Sequence, residues 1–202
     1  MPYSPAPGDY CSPFSHERES AAPGYYQVFL DRYGVDAQLS STLRCAFHKY
    51  TYPAGAAPAV LADLQRSNEH VRAWDIRKEG DNVFAGWQQT GEKMYFYAVA
   101  NRPVTGIEPV VEGDREVRIV RFGEGDGALE LRIGFSFVSE KNARENLEAE
   151  MLGKSFAEVR SEATATWNDL LGRIRVEGGT EREKGLFYSC LLYTSPSPRD
   201  RT

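Results

Sequence analysis

The chain has 202 residues, a formal net charge of -5, 41% hydrophobic, 12% aromatic and 26% charged residues. That balance belongs to a globular protein with a real core, since 11 Tyr, 10 Phe and 3 Trp have no use in a solvated chain. Interspersed charges on an acidic chain exclude the basic footprint of a nucleic-acid binder, and no apolar run reaches the roughly 18 residues of a membrane span. The opening MPYSPAPGDY carries neither the basic flank nor the apolar stretch of a signal peptide. Cys11, Cys45 and Cys190 lack zinc-ligand spacing, and Cys45, inside an apolar alternation, reads as a small buried hydrophobe.

Residues 1–24 hold five prolines with Gly8 and Gly24, which predicts a loop or extended covering segment. Strands follow from Tyr25 to Leu30. Val35 to Tyr52 shows one period-two alternation and reads as half-buried antiparallel strand, with His48 on its polar face. Short candidates continue at Ala59 to Leu64, Val71 to Arg77, Asn82 to Gln89, Lys93 to Ala100, Glu116 to Phe122 and Leu129 to Phe137. Many strands without intervening helices favour an antiparallel β-sandwich over residues 25–138.

A helical connector is predicted over 139–179. Ser155 and Glu158 form a capping-box signature, and Phe156, Val159, Ala163, Trp167, Leu170, Leu171 and Ile174 make one apolar stripe that must dock. A further helix opens at Thr180 and runs through Tyr188. Residues 190–202, CLLYTSPSPRDRT, are foreign in kind: CLLYTSPSPRD is the translation of a transposase-end sequencing adapter, so this stretch is expected to be an artefact that ends the helix and is disordered.

No G-x-S-x-G, G-x-x-x-x-G-K, G-x-G-x-x-G or H-E-x-x-H occurs. FGEGDGALE, residues 122–130, lacks the spaced acidic ligands of a calcium loop and reads as a hairpin turn. Three residues are candidates for sugar contact. His16 lies beside Glu17 and Glu19, His48 stands among Lys49, Tyr50 and Tyr52, and Trp87 between Gly86 and two Gln is placed near a surface, while Trp74 shares parity with Ile76 and belongs to the core. No pair of carboxylates can be chosen as acid and base from spacing.

Four ordered runs, FSHERESAAPGYYQVFL (14–30), VDAQLSSTLRCAFHKYTYP (35–53), GFSFVSEKNARENLEAE (134–150) and WNDLLGRIRVEGGTEREKGLFYS (167–189), resemble glycoside hydrolase family 92. Lys49 replaces the usual Arg and Tyr52 the usual Phe. The resemblance implies a mainly β fold, an antiparallel β-sandwich followed by a helical connector and, over 180–189, the first helix of a truncated (α/α)6 barrel. It also implies a parent α-mannosidase that is calcium-dependent and inverting, with α-1,2 the linkage expected first and linkage specificity left open, directed at mannose-containing glycans and secreted or periplasmic. The chain then reads as a fragment without catalytic or calcium-binding residues, inactive alone, whose partner is its own catalytic barrel. The alternative is a free-standing carbohydrate-binding β-sandwich module.

Overall fold

The computed structural model describes residues 10–112 and 115–194; much of the Pro-rich start, residues 1–9, and the last eight residues of the expected artefact lie outside them. A short 3-10 turn (His16–Arg18) leads into eleven strands: β1 (Glu19–Ala22), β2 (Tyr25–Leu30), β3 (Val35–Ser41), β4 (Cys45–Thr51), β5 (Ala59–Ala62), β6 (Ala73–Lys78), β7 (Val83–Gln89), β8 (Lys93–Ala100), β9 (Val104–Glu112), β10 (Arg115–Phe122) and β11 (Leu129–Ser136). Helices α1 (Glu140–Met151), α2 (Phe156–Leu171) and α3 (Glu181–Thr194) follow. The strands form two antiparallel sheets, one of order β1-β2-β3-β4-β11-β8-β7-β6 and one of order β5-β10-β9.

The alternation of β11 sets the layers. Leu129 and Leu131 point inward to a core shared by both sheets with Phe84, Phe96, Val120 and Phe122. Its other face, at Arg132 and Gly134, pairs with Phe47 and Cys45 of β4, and those two pack beneath the helices with Leu147, Met151, Phe156 and Val159. The large sheet is therefore buried on both faces along its centre, and Cys45, 3% exposed, is the small hydrophobe expected, its thiol pushed up to about 11 by burial.

Several local expectations are corrected. The segment 1–24 contains β1, an edge strand that turns at Pro23-Gly24 and pairs with β2; an edge is where a Pro-flanked strand is tolerated. The stretch Val35 to Tyr52 is a hairpin of β3 and β4, and Leu43, in phase with the alternation, is 91% exposed at its tip. Strand β9 escaped the sequence pattern because Gly106 and Pro109 interrupt it, and among the described residues it too is an edge, paired only with β10. Residues 123–128 join strands of different sheets rather than forming a hairpin, and the Arg102 guanidinium donates to the carbonyls of Asp126 (3.3 Å) and Gly127 to hold that crossing.

Helix α1 starts at the Ser139 cap and is fastened at its far end by Glu150. That carboxylate accepts from the Thr42 hydroxyl, from Arg44 N at 3.1 Å and from Arg44 Nε at 2.6 Å. Burial opposes its charge, but these bonds outweigh burial and hold the carboxyl below its ordinary range. Asn146, 5% exposed, donates to Phe135 O at 2.8 Å from the middle of the helix. The expected capping box of Ser155 and Glu158 opens α2.

The stripe on α2 docks over only its first part. Phe156 and Val159 are buried, Ala163 and Trp167 rest against Gly24 of the β1–β2 turn, and beyond it Leu170 is 44% exposed because the helix has run off the sheet; α2 ends at Leu171 with Gly172 as its cap, so Ile174, expected on the stripe, lies past the helix and is 49% exposed. Arg160, on the exposed side, lies 3.6 Å over the Tyr25 ring. Helix α3 continues to Thr194, past the stop expected at Tyr188: Cys190, Leu191 and Leu192 are compatible with helix, and the residue before Pro196 is the first that is disfavoured.

Candidate functional site

The small sheet covers the large one over β6, β7, β8 and β11 and leaves the inner face of β2–β4 opposite the edge strand β5. A cleft of about 880 Å3 lies there. Leu30, Val35, Val60, Leu61 and Ile119 give it apolar walls, and Tyr10, Tyr33, Tyr50 and Tyr52 contribute rings. These phenols are engaged within the chain. Tyr33 OH donates to Tyr10 O at 2.8 Å, Tyr52 OH to Ala59 O at 2.6 Å, and Tyr10 OH to the Asp63 carboxylate, with Arg66 Nη1 donating back to Tyr10 OH at 3.1 Å.

The electrostatics of the cleft follow from those bonds. The hydrogen bond to Asp63 raises the Tyr10 hydroxyl, while burial raises Tyr50 and pushes Tyr52 up to about 12. Each of these three phenols therefore stays protonated at neutral pH. Among the described residues Asp63 is the single carboxylate in the lining. Inverting glycoside hydrolysis needs two carboxyl groups roughly 6.5 to 9.5 Å apart, so among the described residues the cleft offers surface for packing or recognition and no acid–base pair. Among the described residues no group of three or more His, Cys, Asp and Glu is placed to hold a metal ion.

The three sequence candidates occupy separate places. His16 is exposed in the 3-10 turn, its Nδ1 2.5 Å from Glu19 Oε2, and Glu19 also accepts from Tyr26 OH at 2.7 Å. Glu17 takes no part in that group; the cluster ties the covering segment to β2. His48 is not on a solvated face. It pairs across the sheet with Leu39 and Leu131, faces inward, and its Nδ1 lies 2.9 Å from Tyr50 OH. Trp87 is half-buried on the opposite, outer face beside Tyr95. Trp74 is inside as expected, packed on the inter-sheet core with the Arg118 guanidinium 4.8 Å over its ring.

Burial pushes His48 down to about 4. An unfolded histidine titrates near 6.5, so between about pH 6.5 and 4 the unfolded chain binds a proton that the folded one refuses. Folding stability should therefore fall as pH drops through that window. In His48→Gln the fall between pH 7 and 4 should be shallower, as read from urea midpoints at stepped pH; parallel curves for both chains would contradict this.

Residues that sequence reasoning missed are Glu150, Asn146 and Gly134. The first two sit in a helix whose composition looked solvated, and their partners lie 106 and 11 residues away, so only the third leaves a local signal: a glycine inside an otherwise strong strand alternation.

Comparison with known proteins fits this architecture. The sequence profile described as "Glycosyl hydrolase family 92 N-terminal domain" matches residues 2–148, and that of "Glycosyl hydrolase family 92 catalytic domain" matches residues 142–202. An uncharacterized secreted glycosidase of Arthroderma benhamiae is 24% identical over 90% of this chain and 29% of its own length. Among solved structures, a family GH92 α-mannosidase from Bacteroides thetaiotaomicron superposes with a TM-score of 0.82 at 24% identity, over 93% of this chain and 28% of that one. A family GH92 inverting mannosidase from the same organism gives a TM-score of 0.81 at 26% identity, over 93% and 27%. The chain thus spans less than a third of the length of these relatives. With a family profile matched along most of its length and the fold shared throughout, the chain belongs to glycosyl hydrolase family 92.

Proposed function

We propose that this chain is the N-terminal β-sandwich, the helical connector and the first helix of the catalytic barrel of an exo-acting α-mannosidase that releases mannose from glycans with inversion, preferring α-1,2 linkages. The observation that carries the reading is the pair of family matches in their natural order, with the inverting mannosidase among the structural relatives. In such chemistry one carboxylic acid protonates the leaving oxygen while a carboxylate activates water on the opposite face. Both belong to the catalytic domain outside these residues.

What this chain contributes is placement. The sandwich and the clamped α1 form a base, and α2 leaves it with Leu170 exposed, followed by Ile174 in the connection and by Leu186 at 66% and Phe187 at 37% on α3. Those side chains suit burial against further helices of the same enzyme, which also favours this reading over a free-standing carbohydrate-binding module. The calcium implied by the resemblance finds no ligand set among the described residues. Export of the whole enzyme to the periplasm or medium is part of the same proposal, supported by the secreted fungal relative.

The test compares this chain with its full-length parent on α-1,2-mannobiose. Mannose release is expected from the parent and none from this chain, with or without added calcium, and chelation should silence the parent while leaving the thermal midpoint of this chain where it was. Release by this chain above a blank would overturn the division of labour.

A further inference from the structure

The outer face of the large sheet is covered unevenly. Helix α1 crosses β11 and β8, touches β7 and reaches β6 through Glu140, which accepts from Arg77 Nη2 at 2.9 Å, and α2 lies over β2–β4, so among the described residues the outer face of β6 and β7 on the Asp75 and Trp87 side of that contact has no helix packed along it. Across that open area the register places Asp75, Trp87 and Tyr95 directly opposite one another on three adjacent strands, with Gln89 and Lys93 paired in the next row of the same face. Side chains opposite each other in a sheet stand about 5 Å apart, so the two rings and their polar neighbours make one continuous strip.

Most of the hydrogen-bonding capacity of this strip is left unused by the fold. Trp87, Tyr95, Gln89 and Lys93 are half-buried, and among the described residues no protein group accepts from the Trp87 indole N–H or the Tyr95 hydroxyl, or bonds the Gln89 amide. Among the described residues Asp75 meets only Arg77, at 3.6 Å, whose guanidinium is also held by Glu79 at 2.5 Å and by Glu140 at 2.9 Å. Lys93 Nζ sits 3.6 Å above the Trp87 ring and 5.7 Å from that of Tyr95. The ammonium marks the electron-rich ring face as open to a positively polarised partner from solvent.

We propose that this strip binds a neutral pyranoside glycan. The apolar face of a sugar ring carries C–H bonds with partial positive charge and can take the place of the Lys93 ammonium on Trp87 and Tyr95. Its equatorial edge carries hydroxyls that both donate and accept, and Asp75 offers an acceptor, Lys93 a donor and Gln89 both. A strip with one carboxylate and one ammonium has no net charge, which suits an uncharged ligand over a phosphate or an acidic peptide. Binding here would hold the enzyme on a polymer whatever residues perform the cleavage.

The test is native affinity electrophoresis of this chain in gels cast with yeast mannan, with barley β-glucan, or with no polysaccharide, beside serum albumin as a non-binding reference. The chain should be retarded by mannan. Trp87→Ala should abolish the retardation and Gln89→Ala, which removes a side chain with no partner in the fold, should weaken it with an unchanged thermal midpoint. Choosing mannan rests on the mannosidase reading: retardation by β-glucan alone, lost in both variants, would keep the strip and count against mannose. No retardation in either gel, or retardation untouched by both substitutions, would overturn the proposal.

Discussion

Phe47→Ala should lower the stability of the chain by about 3–5 kcal/mol, the usual cost of emptying a buried aromatic site. Phe47 is 0% exposed on the central strand β4, its ring stands edge-on to Phe156 with centroids 5.3 Å apart, and the Arg132 guanidinium covers it at 4.3 Å. The site joins the sheet to α2 and cannot collapse, because β4 is held on both sides by β3 and β11. For a domain of this size the thermal midpoint should fall on the order of 10 °C. Leu43→Ala, an apolar truncation on the same hairpin but at a 91% exposed position, should stay within about 0.5 kcal/mol of the parent. Equal losses in the two variants would show that the helices do not pack on the outer face as described.

Gly134→Val should be comparably damaging for the opposite reason. Its backbone is ordinary strand, and what requires glycine is the approach of α1. A Cβ there would enter the Ala143 carbonyl oxygen and come within 2.9 Å of Leu147 Cβ and 3.1 Å of Leu147 N. Backbone atoms of a helix fastened by Glu150 at one end cannot give way singly, so α1 must lift from the sheet, at about 3 kcal/mol or more. Hydrogen exchange should report the loss first in α1. A contrasting site is Gly127, with φ +74 and nothing within 4 Å of the place a methyl group would take, where alanine should cost only about 1 kcal/mol of backbone strain. Protection of α1 unchanged in Gly134→Val would contradict the close contact.

Much of the fold was legible because period-two alternation and capping chemistry are local. Tyr25–Leu30 and Lys93–Ala100 have the bounds the pattern predicts, and Ser155 caps α2 through Glu158. The alternation fails where two strands keep one phase across a turn, as at Leu43, and where an edge strand tolerates Gly106 and Pro109. It also says which residues share a face without saying what lies over that face. Cys45 and Phe47 on one side of β4, and His48 and Tyr50 on the other, both became interior, so the polarity of His48 misled. The α2 stripe was correct in spacing from Phe156 to Leu171 but not at Ile174, which lies past the Gly172 cap, and spacing is silent on where the sheet beneath it ends. Glu150 had no local signature because its partners, Thr42 and Arg44, are brought to it only by folding. Candidate sugar contacts were hardest: two of the three, His16 and His48, are held by internal partners, and Trp87 gains meaning only from Asp75 and Tyr95 on neighbouring strands.

The central claim, that this sandwich belongs to an inverting α-mannosidase, is tested most directly by following the anomer released from α-1,2-mannobiose by NMR. The enzyme to use is the parent that carries this chain with its complete catalytic domain. β-Mannose should appear first and only later mutarotate toward the equilibrium mixture; α-mannose as the first product, or no mannose from the intact enzyme, would contradict the claim.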